Sequence, residues 1–168
     1  MIIGLLSDTH GSLDPRIFEY FKDCDEIWHA GDIGNQTVSD SLSNFKPFKA
    51  VWGNIDGGIV KVSYPEKLIF ECEGFKVLVI HIGGYPPKYN PKVKKLIKSE
   101  SPDIVICGHS HILRVMRDPE HSNLLYLNPG AAGKEGFHKI KTLLKFELND
   151  KKVSNMQVIE LGKRGAIS

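Results

Sequence analysis

Five short apolar runs in this chain each close on residues able to bind a metal ion. They are Ile2-Ile3-Gly4-Leu5-Leu6-Ser7-Asp8-Thr9-His10, Ile27-Trp28-His29-Ala30-Gly31-Asp32, Val51-Trp52-Gly53-Asn54, Val77-Leu78-Val79-Ile80-His81 and Ile104-Val105-Ile106-Cys107-Gly108-His109-Ser110-His111. A short apolar run with a polar end reads as a buried strand whose tip faces a site. One such ending carries little weight. Five from distant parts of one chain, all offering oxygen or imidazole donors, predict a shared metal cluster.

The rest of the pattern predicts what holds these strands. Asp14-Pro15 reads as an N-cap followed by proline at the first helical position, with Ile17, Phe18 and Phe21 on one helix face. Val38, Leu42 and Phe45 repeat at helical spacing, and a strand from Phe48 to Trp52 follows. The β-α-β-α-β order implies a parallel sheet with right-handed crossovers. Lys67–Glu71 and Phe75–His81 read as a hairpin through Glu73-Gly74, and Asn90-Pro91 opens a third helix with Val93, Leu96 and Ile97 inward. Ile140, Thr142, Leu144, Phe146 and Leu148 alternate with Lys141, Lys145 and Glu147, predicting a strand with one solvated face. Asn149-Asp150 turns the chain into a last strand around Met156–Leu161, and 162–168 reads as a loose tail. No repeat or linker interrupts the 168 residues, so the expectation is one α/β (α+β) domain of mixed sheets covered by helices.

Bulk properties remove several function classes. A net charge of +2 argues for neither nucleic acid nor a membrane surface. The one dense basic stretch, Lys92, Lys94, Lys95 and Lys98, reads as the solvated face of the third helix rather than a nucleic-acid patch. Cys24, Cys72 and Cys107 form no C-x-x-C pair, which argues against disulfides and a thiolate zinc site and for buried thiols. Met1 leads straight into a strand-like run with no basic leader, and no run approaches a membrane span, so a cytoplasmic protein is expected.

In an extended segment, side chains two apart point the same way, so Asp8 with His10, and His109 with His111, each form a two-toothed grip. The glycines before Asp32, Asn54 and His109 allow a sharp turn or a close approach where each strand ends. Two carboxylates, one amide and four histidines exceed what one tetrahedral ion takes. They suit two neighbouring ions such as Mn, Fe, Ni or Zn, whereas magnesium prefers oxygen donors. His29 is expected to support the cluster from behind, and His121 to sit in a surface turn.

These motifs resemble the calcineurin-like metallophosphoesterases. Asp8-Thr9-His10, Gly31-Asp32, Gly53-Asn54-Ile55-Asp56, His81 and Gly108-His109-Ser110-His111 stand in the order that family uses. The small size and Asn128-Pro129-Gly130 are similar to its compact prokaryotic phosphodiesterase branch. The resemblance, which runs from residue 1 to about 160, implies a two-sheet αββα sandwich. It also implies a first ion, manganese by preference, on Asp8, His10 and His111. A second ion is implied on Asn54, His81 and His109, with Asp32 bridging. Phosphate esters would be hydrolysed by a metal-bridging hydroxide, with Asp32, Asn54 and His81 as the catalytic set. Small phosphate esters, chiefly diesters, are the implied substrates, and a homo-oligomer is compatible. A retromer subunit shares the fold, so a non-catalytic metal-binding scaffold is the competing expectation.

Two positions depart from the family pattern. Many members carry a histidine after the metal-binding asparagine, where this chain has Ile55. Many compact members have His-Gly-His where this chain has His81-Ile82-Gly83. The general acid is therefore missing, and leaving-group departure is expected to be weakly assisted. Asp56 is expected to orient Asn54 or a histidine. His138 is a candidate to reach the phosphate, against a plain loop histidine. Tyr85, in Gly83-Gly84-Tyr85-Pro86-Pro87-Lys88-Tyr89, is a candidate for substrate contact, against a stiff connector.

Overall fold

The computed structural model describes residues 1–165. Four of the five anticipated runs form strands, and the fifth, Val51–Asn54, follows a strand that ends at Ala50 rather than Trp52. One sheet contains β1 (Ile2–Leu6), β2 (Glu26–His29) and β3 (Phe48–Ala50) in parallel. It is extended on the other side of β1 by antiparallel β11 (Ile140–Asn149) and β12 (Lys152–Lys163). The second sheet runs in the order β4 (Lys67–Cys72), β5 (Phe75–Ile80), β8 (Ile104–Ile106), β10 (Leu124–Pro129), β9 (Leu113–Asp118). Its β5, β8 and β10 are parallel.

Alternation along the strands builds three apolar layers. Ile3, Leu5 and Trp28 meet Val77, Val79, Ile104, Ile106, Leu125 and Leu127 between the sheets. Ile27 and Leu143 face α1 (Arg16–Tyr20) and α2 (Gln36–Phe45), through Ile17, Phe21, Val38 and Leu42. Leu78, Val105 and Tyr126 face α4 (Pro91–Glu100), through Val93 and Ile97. The result is the expected αββα order. Val93 and Ile97 cover the second sheet, while Lys92, Lys94, Lys95 and Lys98 on the other face of α4 are exposed, as expected. Asn90 caps α4 by accepting from Val93 N–H at 2.8 Å. The three cysteines are buried free thiols.

Several expectations need correction. Pro15 occupies the cap position of α1, and Asp14 holds the helix start one residue earlier, accepting from Arg16 N–H at 3.1 Å. A helix at α3 (Gly58–Ser63) was not anticipated; Val60 alone of its residues is buried, so it shows no apolar stripe. The Gly83–Tyr89 segment folds into a small hairpin of β6 (Gly84–Tyr85) and β7 (Lys88–Tyr89). On β11 the alternation fails at its start: Ile140 is exposed, while Lys141 is 2% exposed and bonded to Asp14 Oδ2 at 3.0 Å. The cause is a bulge in the β11–β12 register between Ile140 and Thr142, which inverts the faces. Gly162 and Lys163, expected in the tail, end β12, and Arg164 N–H donates to Lys139 O at 2.9 Å; residues 166–168 lie outside the described residues.

Candidate metal centre

All seven anticipated donors converge at the carboxyl ends of β1, β2, β3, β5 and β8, where both sheets present the tips of parallel strands. Asp8, His10 and His111 bring one donor atom each to within 4.8 Å of one another, and Asp32, His81 and His109 form a second such group. Asn54 joins the second group, with Oδ1 3.1 Å from His81 Nε2.

The backbone turns at the donors themselves. Asp8, His10, Asp32, His109 and His111 have φ of 54°, 47°, 55°, 67° and 58°, in the left-handed region that costs non-glycine residues energy. Such strain at five donors in one cluster marks a functional site. The preceding glycines serve mainly for close approach. A Cβ at Gly53 would collide with Asp32, and one at Gly108 with Ser7 and Asp8. Only Gly31, at φ +99°, needs glycine's conformational freedom as well.

Each carboxylate is anchored by one oxygen and offers the other. Asp8 Oδ2 accepts from His109 N–H at 3.1 Å, and Asp32 Oδ1 accepts from Ile55 N–H at 3.0 Å. Asp8 Oδ1 then lies 3.1 Å from His111 Nε2 and 3.7 Å from His10 Nε2. Asp32 Oδ2 lies 3.2 Å from His81 Nε2 and 3.4 Å from His10 Nε2.

The histidines aim lone pairs at this space. His81 Nδ1 is 2.7 Å from Ala30 O, and a carbonyl can only accept, so Nδ1 carries the hydrogen. In the neutral ring, Nε2 is therefore bare and faces Asp32 and Asn54 oxygens. Asp8 Oδ1 and His10 Nε2 are buried without a hydrogen-bond partner. Convergent acceptors of this kind are costly unless a cation sits among them. The donor set thus fits a pair of divalent ions. The same demand for positive charge moves the ionisations. Asp32 and then Asp8 raise His10 to about 9. Burial would raise the Asp8 carboxyl, but the nearby imidazoles of His10 and His111 outweigh it and hold Asp8 well below the usual carboxylate range.

The supporting residues divide less predictably. His29 is fully buried and neutral, pushed by burial to about 4. Gly31 N–H donates to its Nδ1 at 3.1 Å, so its Nε2–H meets Thr9 Oγ1 at 3.0 Å, the support expected of it. Asp56 hydrogen-bonds through its side chain to neither Asn54 nor a histidine. Its carboxylate accepts from Gly53, Ile33 and Gly34 N–H at 2.9, 3.1 and 2.7 Å, lacing the β2 and β3 tips together. Asn128, noted only as part of a motif, donates to Gly108 O at 2.9 Å and steadies the β8 tip. Tyr85 is put to a different use: its ring packs on the α4-side core under the Arg114 guanidinium, 3.9 Å away. His138 bonds through one nitrogen to His111 and through the other to Gly133 O, so neither is free for a substrate. His121 sits in the β9–β10 turn, bonded to Asp118.

A two-sheet sandwich carrying two groups of carboxylate and imidazole donors at its strand tips defines a metal-binding α/β protein. Residues 1–151 match the family described as the calcineurin-like phosphoesterase superfamily domain, and the chain belongs to that family. A "probable metallophosphoesterase" of Methanocaldococcus jannaschii is 31% identical over 166 residues, spanning 95% of this chain and 82% of that protein. Among solved structures, a novel archaeal phosphodiesterase superposes with a TM-score of 0.77 at 25% identity, covering 96% of this chain and 100% of that one. Wild-type Vps29 from Entamoeba histolytica, complexed with Zn2+, superposes with a TM-score of 0.72 at 17% identity, covering 96% and 98%, a likeness of fold alone.

Proposed function

We propose that this chain is a dinuclear metal-dependent phosphodiesterase acting on a small phosphate ester in the cytoplasm, with manganese as its preferred metal. The observation that carries the reading is the pair of buried, unpartnered atoms, Asp8 Oδ1 and His10 Nε2, inside a ring of lone pairs. Asp8, His10 and His111 would hold one ion, Asn54, His81 and His109 the other, with Asp32 between them. Bound divalent ions supply Lewis-acid charge that acidifies water and neutralises phosphate oxygens. The chain's residues do the rest. Asp32 is fixed by Ile55 N–H with one oxygen left to the centre. His81 is held in a single tautomer by Ala30 O. Asn54 adds an exposed amide at the rim without repelling an anion. A cavity of about 160 Å³ lined by Trp52, Asn54, His81, Ile82 and Lys92 opens beside the second group and offers room for an ester substituent.

The test is to measure bound metal in the purified protein and assay bis(4-nitrophenyl) phosphate with manganese and after chelation. Hydrolysis that follows metal occupancy is expected. Stoichiometric metal without hydrolysis would overturn the enzyme reading. It would favour the second one, a metal-binding scaffold, which one observation supports: Ile55, Ile82, Ile112 and Phe137, each beside a donor or His138, are exposed.

A further inference from the structure

We infer that His138 is a positioning residue that fixes the ring of His111 and so sets the affinity of one of the two ion positions. The inference rests on the metal-centre reading above. A chain of hydrogen bonds runs from the backbone carbonyl of Asp8 to the ring of His111. Gly133 N–H donates to the Asp8 carbonyl at 3.0 Å. His138 Nε2 lies 2.9 Å from Gly133 O; because a carbonyl only accepts, Nε2–H is the donor. The second nitrogen of neutral His138 is then a bare acceptor. It lies 3.1 Å from His111 Nδ1, which must therefore carry the hydrogen. His111 Nε2 is left as a lone pair, 3.1 Å from Asp8 Oδ1, aimed into the first donor group.

The loop that delivers His138 is shaped around His111. Ala132 N–H donates to Ser7 O at 2.9 Å, so the loop between β10 and β11 is tied to the tip of β1. Gly136, at φ +121°, lies so close to His111 that a Cβ there would run into Nδ1 and Cε1 of its ring. The rings of His111 and His138 meet edge to face, with centroids 5.1 Å apart. The two groups are thus supported differently. His81 is fixed by the backbone carbonyl of Ala30, which no substitution removes. His111 is fixed by a side chain, which can be replaced.

Partners of metal-bound histidines typically carry about 10–100-fold in metal affinity. Metal-free protein should be titrated with Mn2+ by calorimetry, for the wild type, His138→Ala and His138→Asn. His138→Ala should weaken one of two ions by about 10–100-fold and spare the other. His138→Asn should return most of that affinity, because its Oδ1 replaces the Nδ1 acceptor. The second readout is the ring-nitrogen NMR spectrum of metal-free protein. It should show His111 with hydrogen on Nδ1 in the wild type and the Asn variant, and lose that preference in the Ala variant. Unchanged affinity for both ions in His138→Ala would overturn the inference, as would a wild-type His111 with no hydrogen on Nδ1. Should the wild type bind no Mn2+, the metal reading falls, while the tautomer of His111 still decides the role of His138. Should His138→Ala fail to fold, the wild-type tautomer and the Asn variant's affinity decide it.

Discussion

Replacing Asp56 by alanine should damage the protein out of proportion to one small polar residue. Asp56 is 6% exposed, and its carboxylate accepts three backbone N–H groups. The donors of Ile33 and Gly53 are buried, whereas that of Gly34 sits at an exposed residue where water can replace the lost partner. Hydrogen bonds to a charged acceptor contribute about 1.5–3 kcal/mol each, so the two buried ones together are worth about 3–6 kcal/mol. For a chain of this size that lowers Tm by roughly 10–20 °C. Asp56→Asn should recover part of the loss, because both buried N–H groups bond one oxygen, which the amide oxygen can replace, leaving the amide NH2 to face only Gly34 N–H. The assay is urea unfolding of metal-free protein, comparing midpoints for the wild type and both variants at matched m-values. A loss below about 1 kcal/mol in Asp56→Ala would refute the reasoning, since that is what one exposed surface substitution costs at most. The second consequence is local. Ile33 and Gly53 flank Asp32 and Asn54, so metal affinity should fall in Asp56→Ala even well below the melting point.

Four other outcomes follow from the same structure. Arg16 and then Lys141 hold the Asp14 carboxyl well below the usual carboxylate range, so it contributes stability above its unfolded value near pH 4 and loses that contribution as pH falls toward its folded value. The urea midpoint should therefore drop more steeply below pH 4 in the wild type than in Asp14→Asn; parallel slopes would contradict this. Ile55 is 46% exposed next to Asn54 and has no proton to give, so hydrolysis rates should depend steeply on leaving-group pKa and favour aryl over alkyl diesters. Ile55→His should raise the alkyl rate and flatten that dependence; a flat plot for the wild type would count against the idea. Chelation should lower Tm, and manganese restored to about 100 times its Kd should return roughly 2.7 kcal/mol, checked by thermal melts across a manganese series. Bound metal should also fall below about pH 6, where protons compete for imidazole lone pairs.

The seven donors were legible because their signal is local: each closes an apolar run, and parallel strands carry such ends to one place. The layers were legible for the same reason, since Ile27 and Trp28, or Val77 and Leu78, declare opposite faces by alternation alone. What escaped the sequence depends on partners far along the chain. Asp56 reads as a neighbour of Asn54, yet two of its three bonds go to residues more than twenty positions away. His138 reads as a loop residue until the fold sets it 3.1 Å from His111, 27 positions earlier. Lys141 reads as solvated because alternation assumes an unbroken ladder, and nothing local announces the bulge that turns it inward.

These misses share a cause that bears on the site. The donors are specified by side-chain chemistry, but their aim is specified mostly by backbone atoms, which every residue has and no sequence pattern displays. Asp8 and Asp32 are aimed by N–H groups of His109 and Ile55, and His81 by the carbonyl of Ala30. Substituting those supporting side chains should leave the aim of these donors intact, because the bonding atoms remain. His111 breaks the rule, being aimed by another side chain. Of the four donors so aimed, three are fixed by backbone atoms and one by a side chain, and variation at position 138 is the economical route by which a chain of this fold could retune one ion without disturbing its neighbour.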